Sequence, residues 1–401
     1  MSSIQSVRPP LSRKHLKGRQ PTEQARADLA QLMSGLKPQR DALIEYLHRI
    51  QDTYGGLSEA HLVALAAWMG ISVVEVHEVA SFYHHFDILR EGETAPTLTV
   101  RICGGLSCAL AGASGLMAEI QRLNARTDVR IIQAPCVGRC EQAPVAVVHQ
   151  RPVAQAKAQD VMQHIAAQSR WPELGKDGAQ FDPVSKALGD VVSPEDRLQT
   201  VVDVVDLDTY RAQGGYRVWL QLQSGERSRE AVLSAMEDSG LRGLGGAGFP
   251  AGRKWRIVAS KPGPRLLAVN LDEGEPGTFK DRTYLERDPH RFLEGLLVAT
   301  EVVGIDTVYI YLRDEYHACR LLLERELKRL AEWSHRRLPR IELRRGAGAY
   351  VCGEESAMIE SLEGKRGEPR MRPPYIADVG LFGKPTLAHN FETLYWVCLL
   401  Y

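Results

Sequence analysis

Two short segments hold four of the chain's seven cysteines. The segment "CGGLSC" pairs Cys103 with Cys108 in a C-x4-C spacing, and "CVGRC" pairs Cys136 with Cys140 in a C-x3-C spacing. Four thiolates in two pairs suit either a tetrahedral zinc ion or a [2Fe-2S] cluster. Zinc ribbons usually separate paired cysteines by two residues, so these longer spacings favour the wider binuclear cluster. Zinc and a metal-free pair of loops are the alternatives.

The balance of charge excludes some classes of function. The 401 residues include 50 Lys+Arg and 50 Asp+Glu, which gives a formal net charge of zero. A dedicated nucleic-acid binder usually carries a basic excess, so we expect no nucleic-acid partner. No apolar run reaches the roughly 18 residues of a membrane span, and no signal-peptide core follows Met1. We therefore expect a cytoplasmic protein, where reduced cysteine pairs serve metal or redox chemistry.

Changes of hydrophobic period divide the chain into five predicted segments. Residues 1–21 form a basic tail, residues 22–95 a helical bundle, and residues 96–168 a small α/β domain of thioredoxin type. Residues 169–199 are a polar linker, and residues 200–401 form a larger α/β unit. The larger unit has predicted strands at "RLLAVN", "TVYIYL" and "RIELRR". The predicted fold class is therefore α/β.

A glycine-rich segment, "GLRGLGGAGFPAGRKW", opens the larger unit's most distinctive region. Its Gly243, Gly245 and Gly248 match the G-x-G-x-x-G fingerprint of Rossmann dinucleotide-binding folds. That fingerprint should follow a strand, whereas the preceding "SREAVLSAMEDSGL" has a helical pattern, so we do not predict a true Rossmann fold. The glycines still let backbone amides approach a phosphate, and Arg253 and Lys254 add positive charge. A plain glycine-rich turn is the alternative.

Two later segments place carboxylates where they could complete a ligand site. The segment "NLDEGEPGTFKDR" puts Asp272 and Glu275 just after a predicted strand. The segment "GAGAYVCGEESAMIESLEGKRG" puts Glu354 and Glu355 between a glycine-rich turn and an amphipathic helix. Such carboxylates could bind ribose hydroxyls, a metal ion or the polar edge of a flavin. Solvated acidic loops are the alternative for each segment alone.

On these segments the chain resembles the flavoprotein subunit that takes hydride from NADH in respiratory complex I. The resemblance covers roughly residues 230–396 and also includes "SLEGKRGEPR" and "FGKPT". Residues 22–165, with the four cysteines, are similar to the thioredoxin-like [2Fe-2S] subunit of that complex. The fusion of both, with "QDTYG", "YIYLRDEY" and "HNFETLYW", looks most like the beta (diaphorase) subunit of NAD-dependent molybdenum or tungsten formate dehydrogenases. The diaphorase subunit of an NAD-reducing hydrogenase, or of another complex I-like enzyme, is the alternative.

The resemblance implies a role for each matching residue. The [2Fe-2S] ligands would be Cys103, Cys108, Cys136 and Cys140. FMN would be bound by Gly243, Gly245, Gly246, Gly248, Lys254, Asn270, Asp272, Tyr350, Gly353, Glu354 and Asn390. NAD(H) would be bound by Phe249, Glu275, Glu355, Arg372 and Tyr375. A carboxylate near the ribose repels a 2′-phosphate, so Glu355 predicts a preference for NAD over NADP.

The chain departs from the family pattern in two ways. Leu244 stands where Arg is common, Arg372 where Lys is usual, Tyr375 where Phe is usual, and His389 where the first of two paired asparagines is usual. The family also continues past "ETL" into a ubiquitin-like module and a helical bundle that binds a [4Fe-4S] cluster. This sequence stops at Tyr401 without recognisable [4Fe-4S] ligands. We therefore expect a flavoprotein domain that is truncated at its C-terminus.

The resemblance implies an electron-transfer subunit without a catalytic side chain, because FMN carries the chemistry. Hydride would pass between NAD(H) and FMN, and single electrons between FMN and iron–sulfur clusters. The expected partner is a formate dehydrogenase alpha subunit with a molybdenum or tungsten cofactor and its own iron–sulfur clusters, whose electrons would reduce NAD+. A non-catalytic scaffold is the alternative, and a zinc-bound regulator is a third possibility.

Overall fold

The computed structural model describes residues 18–167 and 204–400. The predicted linker, residues 169–199, and most of the predicted basic tail lie outside the described residues. The fold is the predicted α/β class, with helices and two four-stranded sheets. Within the described ranges, every helix is too short or too polar to cross a bilayer.

Four helices occupy the N-terminal part of the described chain: α1 (Glu23–Leu32), α2 (Leu43–Tyr54), α3 (Glu59–Met69) and α4 (Val73–Phe82). Side-chain caps explain where three of them begin, and at α1 Thr22 accepts a hydrogen bond from the amide of Ala25. Ser58 accepts a hydrogen bond from the amide of His61 at the start of α3, and Ser72 forms a capping box with Glu75 in α4. A short parallel pair, β1 (Leu57–Ser58) and β2 (Ile88–Leu89), fastens the chain after α4 to the start of α3.

The cysteines lie in a small mixed sheet with the order β4-β3-β5-β6. Its strands are β3 (Leu98–Cys103), β4 (Val129–Ala134), β5 (Ala146–Val148) and β6 (Arg151–Val153), and its helices are α5 (Leu106–Leu110), α6 (Ala113–Leu123) and α7 (Ala158–Ala166). β3 pairs parallel to β4 and antiparallel to β5, and β5 pairs antiparallel to β6. Parallel β3 and β4 direct both cysteine segments to one edge of this sheet.

A second sheet, entirely parallel, has the order β10-β7-β8-β9. Its strands are β7 (Arg265–Leu271), β8 (Ile305–Leu312), β9 (Arg340–Arg345) and β10 (Thr386–Asn390). The accompanying helices are α8 (Leu207–Ala212), α9 (Arg217–Ser224), α10 (Arg229–Asp238), α11 (Ala251–Ala259), α12 (Lys280–Arg287), α13 (Pro289–Val303), α14 (His317–Trp333), α15 (Glu355–Leu362) and α16 (Phe391–Val397). Because all four strands run the same way, their carboxyl ends line one edge of the sheet.

The two faces of the parallel sheet belong to different hydrophobic cores. In β7, Leu267 and Val269 pack into the core that contains α13, whereas Leu266 and Ala268 pack into the core built by the N-terminal helices. Alternate residues of a strand point to opposite faces, so a strand buried on both faces has a continuous apolar sequence. The N-terminal helices therefore serve as the cover for one face of the larger unit's sheet.

Candidate functional site

The structure brings the cysteine pairs together. Cys103 ends β3, Cys108 lies in α5, Cys136 follows β4, and Cys140 begins a short 3-10 turn. All four are free thiols, and the Sγ atoms of Cys136 and Cys140 are 3.5 Å apart. A hydrogen bond with Cys136 lowers the pKa of the Cys103 thiol, which links the two pairs. The four thiols therefore fit one metal centre.

Gly105 lets the two cysteine pairs approach each other. A Cβ atom at this position would lie 3.0 Å from Cβ of Cys136 and 3.4 Å from Sγ of Cys103. A larger residue would push the pairs apart. Backbone amides already point at two sulfurs, from Gly138 to Cys136 (3.4 Å) and from Gly277 to Cys140 (3.1 Å). Such N–H···S bonds stabilise thiolates and tune the centre that they hold.

The cysteine loop docks directly on the larger unit, a contact that the sequence did not indicate. Arg313, just after β8, donates to the carbonyl of Cys136 at 2.6 Å. Arg282, in α12, donates to the carbonyl of Gly138 at 3.1 Å. With the amide of Gly277 on Cys140, these bonds fix the cysteine loop against the segment "NLDEGEPGTFKDR". Arg313 also donates to the backbone carbonyl of Glu273 in that segment.

The glycine at position 138 lets the cysteine loop approach Tyr316 closely. Its φ of +70° is in the left-handed region, and a Cβ atom there would lie only 2.4–2.8 Å from hydroxyl and ring atoms of Tyr316. The Tyr316 hydroxyl donates to the carboxylate of buried Glu273 at 2.9 Å. Glu273 also accepts the amide of Asp281 at the start of α12. Glu273 is thus a structural carboxylate of the docking contact.

The glycine-rich segment forms a loop between helices α10 and α11, so it does not follow a strand, and the expectation against a Rossmann fold is correct. The amide of Gly243 donates to the carbonyl of Phe249 at 2.9 Å and closes the loop. Gly246 has a φ of +104° and Gly248 a φ of +64°, which favour glycine. A Cβ atom on Gly245 would lie 3.1 Å from Cβ of Asn390, so the loop touches the end of β10.

Two asparagines lie side by side at the carboxyl edge of the parallel sheet. Asn270 of β7 pairs in register with Asn390 of β10. The side-chain Nδ2 of Asn270 donates to the backbone carbonyl of Gly353 at 2.8 Å. The side-chain Oδ1 of Asn270 accepts a hydrogen bond from the backbone amide of Asp272 at 3.0 Å. Asn390 caps α16 through the amide of Glu392. Five predicted FMN residues therefore lie together at this edge: Gly245, Asn270, Asp272, Gly353 and Asn390. Ligands of open parallel sheets bind beside such an edge, and we call the region beside these residues the crevice.

Asp272 has an unusual environment for a carboxylate. Desolvation raises its pKa from 3.8 to about 7, although nearby Arg313 acts in the opposite direction. A carboxyl that has lost water without full compensation suits a site where a ligand supplies the missing hydrogen-bond donor. This is the feature of the crevice that best fits a bound polar cofactor.

An arginine and a lysine flank the paired glutamates. Glu354 caps α15 by accepting the amides of Ser356 (2.9 Å) and Ala357 (3.0 Å), and its other oxygen pairs with Arg372. Glu355 lies 3.1 Å from Arg372 and 3.6 Å from Lys254. Two cations therefore share the charge of Glu355.

Lys254 stands between the glutamates and the sheet edge. It belongs to α11, directly after the glycine loop, and its Nζ donates to the carbonyl of Ala388 in β10 at 3.0 Å. A cation at this position faces the same crevice as Gly245 and Asn390. It can therefore pair with a phosphate that the loop amides hold.

The remaining predicted residues have exposed side chains. The Tyr350 hydroxyl donates to Glu275, and both side chains are exposed. Phe249 is also exposed and has the guanidinium of Arg253 at 5.8 Å from its ring centroid. Tyr375 is exposed on the loop after α15. Exposed aromatic rings at the rim of a polar crevice suit stacking with a planar ligand.

His389, which departs from the family pattern, has a packing role in this structure. It is buried, and its Nε2 accepts a hydrogen bond from the indole of Trp255 at 2.8 Å. Burial lowers the pKa of His389 well below its usual value, so the imidazole is neutral. The partner of this histidine, a tryptophan of α11, could not be inferred from the pattern alone.

Comparisons with known proteins match both regions. Residues 236–399 match the family described as the Nuo51 FMN-binding domain, and residues 29–169 match the thioredoxin-like [2Fe-2S] ferredoxin family. The chain therefore joins a thioredoxin-like [2Fe-2S] ferredoxin domain to an FMN-binding domain of the Nuo51 type, as the fold and its two sites indicate.

Individual relatives refine this class. The NAD-reducing hydrogenase HoxS subunit alpha of Cupriavidus necator is 31% identical over 386 residues, which are 90% of this chain and 62% of the relative. The mitochondrial NADH-ubiquinone oxidoreductase 51 kDa subunit of Neurospora crassa is 43% identical over 183 residues, which are 42% of this chain and 37% of the relative. A solved NAD+-reducing [NiFe]-hydrogenase in the air-oxidized state superposes with a TM-score of 0.71 at 30% identity, over 90% of this chain and 60% of that chain. The chain thus spans between 37% and 62% of the length of these relatives.

Proposed function

We propose that this chain exchanges hydride between NAD(H) and FMN and single electrons with its [2Fe-2S] cluster. The contact that carries the proposal is the hydrogen bond from Gly277 to Cys140, at 3.1 Å. It joins a cluster cysteine to the segment that also contains Asp272 and Glu275. The two proposed cofactor sites are therefore neighbours through one short loop.

The residues at the crevice would hold FMN and leave one side open for a dinucleotide. The loop amides near Gly245 and the cation of Lys254 would bind the phosphate. Asp272 and the two edge asparagines, Asn270 and Asn390, would orient the polar groups of the flavin. When bound, FMN supplies the conversion between a hydride donor and one-electron carriers, and the cluster supplies the carrier.

The rim residues would select and orient the dinucleotide. Phe249 and Tyr375 offer rings for stacking, and Glu275 offers an acceptor that Tyr350 already holds in place. The negative charge of Glu355 would repel the 2′-phosphate of NADP. Arg372 and Lys254 lie beside Glu355 and reduce this repulsion. Because this compensation is partial, we expect a clear but finite preference for NADH.

A diaphorase assay tests this function. The chain is purified anaerobically, supplied with FMN, iron and sulfide, and mixed with an artificial electron acceptor and either NADH or NADPH. We expect reduction of the acceptor with NADH and at least about tenfold less with NADPH, which corresponds to about 1.4 kcal/mol of discrimination. A chain that binds no flavin would favour the alternative, a non-catalytic scaffold.

The partner subunit is a separate part of the proposal. The segments "YIYLRDEY" and "HNFETLYW" support a formate dehydrogenase alpha subunit with molybdenum or tungsten. The similarity over 90% of the chain to subunit alpha of an NAD-reducing hydrogenase supports the second candidate, a hydrogenase. Affinity purification of the chain from its own cells, followed by NAD+ reduction with either formate or hydrogen, separates the two. Reduction with hydrogen alone would contradict the formate assignment.

A further inference from the structure

A group of three side chains outside the flavin crevice brings together two parts of the fold. His48 belongs to α2, His85 follows α4, and Asp314 follows β8. Each offers one ligand atom, and these atoms all lie within 4.8 Å of one another. Neither the cluster cysteines nor the proposed FMN and NAD residues belong to this group.

His48 has an open coordination position in the protein interior. The side chain is 1% exposed, and its Nε2 lies 2.8 Å from the carbonyl of Gly346. A carbonyl can only accept a hydrogen bond, so Nε2 carries the hydrogen and Nδ1 keeps its lone pair. Among the described residues, Nδ1 has no hydrogen-bond partner. A buried acceptor without a protein partner is costly, so this lone pair is available to a bound ligand.

His85 and Asp314 are held in place beside it. Nε2 of His85 lies 2.8 Å from Oδ2 of Asp314. The carbonyl of His85 accepts from Gln51 at 2.6 Å, and its amide donates to the carbonyl of Ala347 at 3.1 Å. The other oxygen of Asp314 accepts two hydrogen bonds from Arg345, at 2.9 Å and 2.6 Å. The backbone and Arg345 therefore orient both groups without using the atoms that meet His48.

We propose that His48, His85 and Asp314 bind a divalent cation, and that Zn²⁺ is the cation that suits them. Two imidazoles and one carboxylate are ligands that zinc prefers. The hydrogen bond from His48 to a backbone carbonyl is the outer-shell arrangement found on most zinc-binding histidines, and the bonds from Arg345 to Asp314 resemble those on ligating carboxylates. Binding through Nε2 of His85 would break its hydrogen bond to Asp314, and the single N–H of the neutral imidazole would move to Nδ1.

Space for a fourth, water ligand lies next to the group. A cavity of about 60 Å³ is lined by His85 and Asp314, together with residues of the ferredoxin domain such as Pro135 and Val137. A volume of this size admits one or two water molecules. The site would therefore have three protein ligands and one solvent ligand.

The charges around the group limit the affinity. Arg345 opposes a cation, but it also pairs with Asp52 at 2.6 Å, and its backbone amide binds the carboxylate of Glu45 at 2.8 Å. The neighbouring Glu315 also lines the cavity. Asp52 and Glu45 offset Arg345. In contrast, Arg101 also lines the cavity, and Glu315 already pairs with Arg313. These charges lower the affinity for a cation but leave its three ligands in place. A bound cation would connect the N-terminal helices to the sheet that they cover.

Metal analysis with matched variants tests the proposal. The full chain, loaded with FMN and its iron–sulfur cluster, is equilibrated with Zn²⁺, desalted and analysed for zinc and iron. We expect about one zinc per chain, and at least about tenfold weaker binding in His48→Gln and His85→Gln. The control His77→Gln changes an exposed histidine of α4 and should bind zinc like the unchanged chain. Iron should be the same in all four proteins.

X-ray absorption at the zinc edge on the unchanged chain gives a second test that needs no variant to fold. We expect nitrogen and oxygen neighbours at about 2.0 Å with the outer-shell scattering of imidazole. Sulfur neighbours at about 2.3 Å would show zinc in the cysteine site and would overturn the proposal. Absence of retained zinc in the unchanged chain, or equal zinc in His48→Gln and His85→Gln, would overturn it as well.

Discussion

Single side chains at the crevice show how burial prepares a site for a ligand. Asp272 directly follows β7 and is half-buried, and Arg313 is the main charge that opposes its desolvation. Lys254 reaches the same crevice from α11 and is the cation next to the glycine loop. Both positions were predicted from motifs. The desolvation of Asp272 could not be predicted from its motif, because it depends on residues that are distant in the sequence.

The raised pKa of Asp272 predicts a pH dependence of stability. Between the ordinary pKa of 3.8 and the folded value of about 7, the folded chain holds a proton that the unfolded chain has released. The free energy of unfolding of the FMN-free chain should therefore fall as the pH rises through this window. Asp272→Asn removes this contribution, so its stability should fall less between pH 5 and pH 8 in urea unfolding. Parallel pH profiles of the two proteins would contradict the assignment.

Lys254 should affect FMN and riboflavin differently. Of the two flavins, only FMN has a phosphate. Lys254→Gln should therefore lower the affinity for FMN about tenfold or more, which is the contribution of one charge-assisted hydrogen bond. The affinity for riboflavin should stay unchanged. Fluorescence titration of both flavins measures this. The control is Lys261→Gln, because Lys261 lies just after α11 and pairs with Asp378 instead of the predicted FMN residues. An equal loss for both flavins would mean that Lys254 has only a structural role.

At the scale of elements, the segments "RLLAVN", "TVYIYL" and "RIELRR" were predicted as strands and form β7, β8 and β9. Four strands were missed for physical reasons, and two of them, β1 and β2, have only two residues each. β6 has three residues and includes a proline, so it is too short for a periodic signal, and β10, "TLAHN", mixes apolar and polar residues because its last residues form the site. The place of β10 beside β7 depends on a pairing across more than a hundred residues, which one sequence does not reveal.

The turn into α5 should be sensitive to a single methyl group. In Gly105→Ala, the new Cβ would lie 3.0 Å from Cβ of Cys136, and relief of this contact would separate the cysteine pairs at a cost of about 1–3 kcal/mol. We expect a lower iron and sulfide content and a weaker visible circular dichroism of the cluster. Gly115→Ala in α6 is the matched control, because its Cβ would meet no atom within 4 Å. Full cluster content in Gly105→Ala would contradict this account of the centre.

At the scale of the whole molecule, the central feature is that the three parts depend on one another. The N-terminal helices cover one face of the parallel sheet, and the cysteine loop docks beside the flavin crevice through Arg282, Arg313 and Gly277. The domain composition followed from motifs. The contacts between domains could not be predicted, because complementary surfaces leave no periodic or spacing pattern in one sequence.

The docking contact can be perturbed without replacing a residue of either proposed cofactor ligand set. In Gly138→Ala, the new Cβ would overlap Tyr316 and would force a positive φ on alanine, which should weaken docking by about 1–3 kcal/mol. We expect normal flavin reduction by NADH but slower reduction of the cluster in rapid-mixing experiments. Gly115→Ala is again the control. Unchanged cluster reduction would mean that the docking contact is not the path between the two sites.

The most direct test of the central claim follows both cofactors in one sample. The chain, loaded with FMN and the [2Fe-2S] cluster, is titrated anaerobically with NADH while flavin absorption and the electron paramagnetic resonance of the cluster are recorded. We expect NADH to bleach the flavin band and to produce the signal of a reduced [2Fe-2S] cluster. Bound flavin that NADH does not bleach would contradict the proposed hydride transfer. A bleached flavin beside an oxidised cluster would contradict the proposed electron transfer, provided that a chemical reductant no stronger than NADH reduces the same cluster.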